Sequence, residues 1–373
     1  MTTSFWLDEP YEPRAPLPGD VEVEACVIGA GVGGLSCARL LAQRGVETVV
    51  LERDTVAGGA SGRNGGFLLA GMAAFYHDAR ERYGSERARD TYARTLAAQE
   101  EIYALAAELG AGDAVRRTGL LRVSASEQEA DDVRRQVAAL REDGFPGVLV
   151  ERDALPDALR ASFHNACRTE HDGALQPARW IRALARAAEQ AGARIHEGIE
   201  VAGPVSARQV RTARGTVSAR HVIVAADGAL PALVPALRDS VRSRRLHMVA
   251  TAPLPQRLVD CPVYARFGHE YFQQTRDGRL LAGGFSDLDG EASYTDRDEG
   301  NAAVWDRIGR YLAEDLGVET PITHRWVGTV GYTDDWLPVV GEADGVYYAG
   351  GYSGHGNVLG YLAGRQLADL IAG

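Results

Sequence analysis

The sequence predicts an α/β protein in which a parallel-sheet domain is interleaved with a second domain of mixed, mostly antiparallel β-sheet plus helices. Three observations predict it. A buried β run from Val21 to Ile28 leads into the turn GAGVGG, a helical pattern from Leu35 to Gln43 ended by Gly45, and a β run from Val46 to Leu51 closed by Glu52. Residues from about Arg242 to Gly331 alternate in the β manner, as in LHMVATAPL and EYFQQTRDGRLLAGG, with a hairpin turn at Asp277 and Gly278. The chain then returns to strand, Gly-rich loop and helix in GVYYAGGYSGHGNVLGYLAGRQLADLIAG. Strand, tight turn, helix and strand in register are the setting of a Rossmann-type nucleotide site.

The elements between these landmarks set the domain plan. Met72 to Gly110 is rich in Ala, Glu and Arg with helical periodicity, Gly119 to Ser126 reads as a strand, and Glu127 to Arg141 as another helix. A helix from Ala178 to Ala191 passes through Gly192 to a strand from Ile195 to Val201, and a polar stretch leads to the apolar run His221 to Ala226. The nucleotide domain is therefore expected in three pieces, 20–75, 155–240 and 335–373, and the second domain in two, 76–154 and 241–334.

With 373 residues the chain is long enough for two to three domains of roughly 150 residues each. Its 45% hydrophobic and 24% charged residues exclude disorder, collagen and coiled coil. The net charge of −11 disfavours nucleic acid and anionic membranes as partners. All 40 basic residues are arginine, and lysine is absent. That removes pyridoxal phosphate enzymes, Schiff-base aldolases and P-loop NTPases, each of which needs a lysine amine. Cys26, Cys37, Cys167 and Cys261 show no CxxC spacing and the histidines form neither HxH nor HExxH, so no metal is expected. The acidic, Pro-rich start is unlike a signal peptide. The longest apolar tract, His221 to Leu237, is broken by Asp227, Gly228 and two prolines. A cytoplasmic protein without a membrane span is expected.

In the Gly-rich turn, Gly29 permits a sharp exit from the strand, Gly31 a close approach of backbone to pyrophosphate, and Gly34 tight helix–sheet contact. The helix opening near Val32 directs roughly half a positive charge at the phosphates. Glu52, 23 positions after Gly29, is placed to accept hydrogen bonds from an adenosine ribose. This fingerprint serves FAD and NAD alike, and other segments favour FAD. GGASGRNGGF, Gly58 to Phe67, offers glycines, Ser61, Arg63 and Asn64 to a ribityl-phosphate region. YAGGYSGHG, Tyr348 to Gly356, opens a helix whose N-terminus can face a flavin pyrimidine ring, where its dipole favours reduction.

VIGAGVGGLSCARLLAQRG with LER, then GASGRNGG, then the terminal GGYSGHG helix resemble the D-amino-acid oxidase, glycine oxidase and sarcosine oxidase superfamily of FAD enzymes. SFWLD and ASGRNGG look most like its γ-glutamylputrescine oxidase branch. The resemblance covers nearly the whole chain, with the middle domain matched in outline. It implies a Rossmann-type FAD-binding domain holding FAD through Gly29, Gly31, Gly34, Glu52, Arg53, Ala60, Ser61, Arg63, Asn64, Gly65, Gly66, Val201, Ala226, Gly228, Gly351, Gly354, His355, Gly356 and Asn357. VIVAADG would line the cofactor from its other side, with Asp227 in place of a more usual small or amide residue. Non-covalent FAD is implied, because no cysteine follows Cys261 and no histidine lies between Gly58 and Gly71, where relatives attach it.

The implied reaction is oxidation of the C–N bond of a polyamine-derived or secondary amine by hydride transfer to flavin N5, with O2 as acceptor and H2O2 as product. Relatives acting on α-amino acids carry an arginine in a pattern like WxGLRPxTPD. Here Trp326 to Pro338 reads WVGTVGYTDDWLP and Val330 takes that place, so a glycine or D-amino-acid substrate is disfavoured. An amine without a nearby carboxylate is expected, met by Tyr264, Phe267, Tyr271, Tyr352 or Glu270. His355, Tyr352 and Tyr271 are the catalytic candidates, whereas His247 and His269 read as structural, with a place for one of them in the substrate pocket as the alternative. Sarcosine-oxidase-like relatives use a lysine to speed reaction with oxygen; here an arginine or a protonated His355 would supply that charge. The alternatives are a dehydrogenase with a quinone or protein acceptor, an amino-acid oxidase of the glycine type, and a flavin-binding protein without turnover.

Overall fold

The computed structural model describes residues 2–373. The Val21–Ile28 strand lies at the centre of a seven-stranded sheet, paired in parallel with Gly215–Val224 on one side and Thr48–Leu51 on the other. It is apolar throughout its second half because both faces are covered. Ala25 and Val27 pack under the Val32–Gln43, Pro177–Gln190 and Gly356–Ala372 helices, while Cys26 and Ile28 join an opposite core with Leu230, Leu233 and Val241. Arg194–His196 extends the sheet beyond Thr48–Leu51, and Val346–Gly350 with its antiparallel partner Val339–Ala343 extends it beyond Gly215–Val224.

Two expected strands have different limits. The run expected to Val201 stops at His196, because the backbone turns at Gly198 with φ 66°, and Val201 keeps only an isolated bridge to Thr212. The run from His221 is instead the second half of Gly215–Val224, whose first half is held by the Gln209–Thr212 hairpin arm.

The second sheet has eight strands in the order Ile322–Tyr332, Arg242–Pro253, Arg279–Gly284, Glu270–Gln274, Val263–Ala265, Leu120–Val123, Asn165–Thr169, Val148–Glu151. All its pairs are antiparallel except Val263–Ala265 with Leu120–Val123. Asn165–Thr169 therefore sits with this sheet, although 155–240 was expected with the nucleotide sheet. Five residues of β pattern do not disclose which sheet will pair with them. A small sheet of Phe67–Leu68, Gly173–Leu175 and Val115–Arg117 lies where the chain crosses between the two large ones. Among the described residues, no helix is long and apolar enough to cross a membrane.

Candidate active site

The Gly-rich turn separates two kinds of glycine. Gly29 has φ 108°, and a Cβ there would lie 2.5 Å from the Ala225 carbonyl; a Cβ on Gly34 would lie 2.0 Å from the Gly29 carbonyl. The protein's own packing requires both. Gly31 is different, since a Cβ there would meet only the Ser61 side chain, at 2.9 Å. It N-caps the Val32–Gln43 helix without a side-chain cap, and the Val32 N–H donates to Ser61 Oγ at 3.0 Å. The result is a helix N-terminus with open space beside its first turn, the arrangement that receives an anionic phosphate.

Glu52 stands at the end of the adjacent strand. Its carboxylate accepts the Ala30 N–H at 2.7 Å and the Asp54 N–H at 3.0 Å. Burial raises its pKa and the two N–H groups oppose that rise. The carboxylate is thus fixed beside the turn with oxygen lone pairs left for hydroxyl donors. Arg53 points to solvent and pairs with Asp54. This cradle and its fixed acid fit the pyrophosphate and ribose of FAD.

The 58–66 loop is tied from several directions. The buried Arg63 donates to the carbonyls of Gly58 at 2.7 Å, Thr2 at 2.9 Å and Val327 at 3.0 Å, so its guanidinium stitches loop, N-terminal arm and second sheet together. Burial lowers its pKa. Trp6 Nε1 donates to the Asn64 carbonyl at 2.8 Å and Ser4 Oγ to the Gly62 carbonyl at 2.9 Å. Asn357, in the first turn of the last helix, donates to the Phe67 carbonyl at 2.7 Å and to Asn64 Oδ1 at 3.2 Å. The loop and the last helix are therefore locked at one separation.

Between them and the second sheet lies a cavity of about 650 Å³. Ala60, Arg63, Asn64, Gly65, Gly354, His355 and Asn357 line it, as do Tyr264, Phe267 and Tyr271. Tyr264 and Tyr271 stack at 6.3 Å, and His355 meets the edge of Tyr264 at 6.2 Å. The roof is one face of two paired strands. Met248, Leu246, Arg244 and Arg242 lie opposite Trp326, Gly328, Val330 and Tyr332, alternate residues that the pleat turns the same way.

Several expected site residues lie elsewhere. Tyr352 joins the core between the first and last helices, its ring beside Gly33 and Gly360, because Gly351 and Ser353 both adopt positive φ and turn it away from the cavity. Gly66 is shut in by Gln273 and the Leu175 carbonyl, and Gly351 by Thr333. Glu270 is buried, accepts from Arg266 Nε at 2.5 Å and does not line the cavity. Ala226 and Gly228 flank Asp227 at the end of the Gly215–Val224 strand, and Gly356 starts the last helix against Tyr352. His247 is wholly buried and accepts the Asn301 N–H at 2.8 Å, whereas His269 lines the cavity.

His355 itself is in place but carries no charge. Burial, with the positive Arg122 close by, pushes its pKa down to about 4, so it is neutral at pH 7. Burial pushes the hydroxyls of Tyr264 and Tyr271 up, keeping both protonated. Arg122, absent from the sequence reading, lines the cavity with its guanidinium 4.7 Å from the Phe75 ring centre and 5.2 Å from that of Tyr264. Arg244, Tyr332 and Trp336 were missed as well. The alternation of RSRRLHM holds a signal for Arg244, but only the strand register says which face it joins.

A doubly wound dinucleotide domain whose cavity opens under an antiparallel sheet defines an oxidoreductase of the flavin-binding class. The match of residues 24–370 to the family model of DAO, FAD dependent oxidoreductase, is specific: the chain belongs to that family, and its cofactor is FAD. It is 31% identical over 381 residues to a probable oxidoreductase, OrdL, of Rhizobium meliloti (strain 1021), covering 98% of this chain and 86% of that protein. It is 28% identical over 376 residues to the γ-glutamylputrescine oxidoreductase of Escherichia coli (strain K12), covering 97% and 87%. The crystal structure of glycine oxidase from Geobacillus kaustophilus superposes with a TM-score of 0.80 at 24% identity, covering 94% of this chain and 95% of that one, a likeness of fold.

Proposed function

We propose that the protein oxidises the C–N bond of an amine, with O2 as electron acceptor. The amine loses two electrons and two protons to give an imine, which water hydrolyses, and O2 becomes hydrogen peroxide. The observation that carries this reading is the convergence on one cavity of the 58–66 loop, the N-terminus of the last helix and the Tyr264–Tyr271 pair. Bound FAD supplies the hydride acceptor.

The chain's own residues do the rest. Gly31, Ser61 and the first helix would hold the pyrophosphate, Glu52 the ribose, and the tied 58–66 loop would border the flavin. Tyr264 and Tyr271, both neutral, form an aromatic wall that orients a neutral amine and excludes bulk water. No residue need accept the proton of the reacting carbon, because it leaves with its electrons. With His355 neutral, Arg122 supplies the positive charge on the oxygen side.

Anaerobic addition of amines to the yellow holoenzyme tests the reading. Bleaching by an amine and rapid return of colour with O2, with peroxide released, is expected. Bleaching without return of colour over minutes would replace O2 by a quinone or protein acceptor, and no bleaching by any amine would end the proposal.

A further inference from the structure

We propose that Asp172 is the buried counter-charge of Arg122, joined to it through water in a small chamber behind the cavity wall, and that it sets how strongly that cation acts on the flavin. Asp172 is on this view a positioning residue, and the proposal rests on the reading above that gives Arg122 the oxygen side.

Arg122 separates two spaces. It lines the large cavity and also a chamber of about 30 Å³ behind it, and Leu69, Ala74 and Tyr264 border both. One wall of the chamber is a single face of a strand pair. Leu120 and Arg122 lie opposite Thr169 and Cys167, alternate residues that the pleat turns the same way. Asp172, three residues beyond Thr169, is buried and folded back on it. Thr169 Oγ1 donates to Asp172 Oδ2, while Asp172 Oδ1 accepts the Ala70 N–H and Gln99 Nε2, each at 2.8 Å. Oδ1 is thereby saturated, and Oδ2 keeps a lone pair in a residue that lines the chamber.

Neither charge has an opposite charge in contact. Among the described residues, Arg122 has no carboxylate within ion-pair distance and donates no hydrogen bond; Phe75 and Tyr264 engage the flat faces of its guanidinium and leave the N–H edge for other partners. His171 lies 3.5 Å from Asp172, but burial lowers its pKa and keeps it neutral, and Arg117 is taken by Glu100. Tyr92 and Cys167, which also line the chamber, feel both charges. Burial raises the pKa of each, Asp172 adds to the rise and Arg122 opposes it. A space of this size has room for about two waters, provided that each finds polar partners. Arg122, Asp172 Oδ2, Tyr92 and Gln136 supply them. A guanidinium partly balanced from behind acts less strongly on what lies in front of it, so Asp172 tempers the positive potential in the large cavity.

Variants of the holoenzyme test this, with the midpoint potential of bound FAD and the rate of its reoxidation by O2 as readouts. Asp172→Asn keeps an acceptor oxygen for Ala70 and Gln99 and removes the charge. It should raise the potential and speed reoxidation by roughly three- to tenfold. Gln136→Glu keeps the acceptor for the Tyr76 N–H, at 3.2 Å, and adds a charge to the same chamber. It should lower the potential and slow reoxidation by a similar factor, a pair of opposite shifts that a purely structural role for Asp172 does not give. With Arg122→Met already in place, Asp172→Asn should move the potential far less. In denaturant unfolding, Asp172→Asn and Arg122→Met together should cost less than the sum of the two alone. Additive costs, or an unchanged potential in Asp172→Asn, would overturn the proposal; should that variant yield no folded protein, an unchanged potential in Gln136→Glu overturns it instead. If Arg122→Met leaves reoxidation untouched while Asp172→Asn still shifts the potential through Arg122, the pair stands and the assignment of Arg122 to the oxygen side falls.

Discussion

The Asp227 carboxylate accepts the backbone N–H of Gly331 at 2.9 Å through Oδ2, while its Oδ1 accepts that of Gly351 at 2.9 Å. One side chain thereby joins the end of the Gly215–Val224 strand, the roof strand Ile322–Tyr332 and the Gly-rich loop before the last helix. Removing it strands two buried N–H donors, at about 1–3 kcal/mol each. Asp227→Ala should lower stability by about 2–5 kcal/mol, and Asp227→Asn by less, since one acceptor oxygen survives. Thermal unfolding of the holoenzyme measures both. An Ala variant within about 0.5 kcal/mol of wild type would show that the joint is made elsewhere.

Gly31 and Gly34 should respond oppositely to substitution although they share one motif. Gly34→Ala drives a Cβ into the Gly29 carbonyl, 2.0 Å away, and should reduce folded yield. Gly31→Val meets only Ser61 and fills the space argued to hold the pyrophosphate. It should yield soluble, folded protein without the yellow absorbance of FAD. Full retention of colour by Gly31→Val would move the phosphate site away from this turn.

That contrast shows what the sequence could disclose. Gly29, Gly31, Gly34 and Glu52 were legible because their spacing is set by one local strand–turn–helix unit. Arg122 and Arg244 were not, because membership of the cavity depends on which strands pair and in which register, a non-local matter. Val330 was noted for lacking an arginine, and the structure places Arg244 on the neighbouring strand, directly across the ladder from it. Tyr352 was drawn to the site by its loop and diverted by two positive-φ neighbours. His355 lines the cavity, while its neutrality follows from burial that a motif does not encode.

Acid should act on the fold through His247, which is wholly buried outside the cavity and feels the charges of Arg245 and Asp289. Burial and the Arg245 charge press its pKa down to about 4 from the usual 6.5, with Asp289 opposing. Between those values the unfolded chain binds a proton that the folded chain refuses, so stability falls as pH drops from 6.5 towards 4. The loss from this one residue is up to about 3 kcal/mol. His247→Gln should flatten the slope of stability against pH over that window, even if it lowers stability at pH 7. An unchanged slope in denaturant titrations at pH 4.5 and 7 would assign the acid sensitivity to other groups.

Of the two sources of positive charge expected beside the flavin, an arginine or a protonated His355, the cavity holds the first in Arg122. His355 is neutral, and the cation beside it is Arg122. If the oxygen side relies on that charge, Arg122→Met should slow the return of colour with O2 by at least about tenfold while slowing anaerobic bleaching by amine far less. His355→Asn should change both half-reactions modestly and leave the oxygen step without a pH transition near 6.5. Stopped-flow measurement of the two halves separates these outcomes. Equal slowing of both by Arg122→Met would make it a substrate contact, and a large, selective oxygen defect in His355→Asn would return the charge to the histidine.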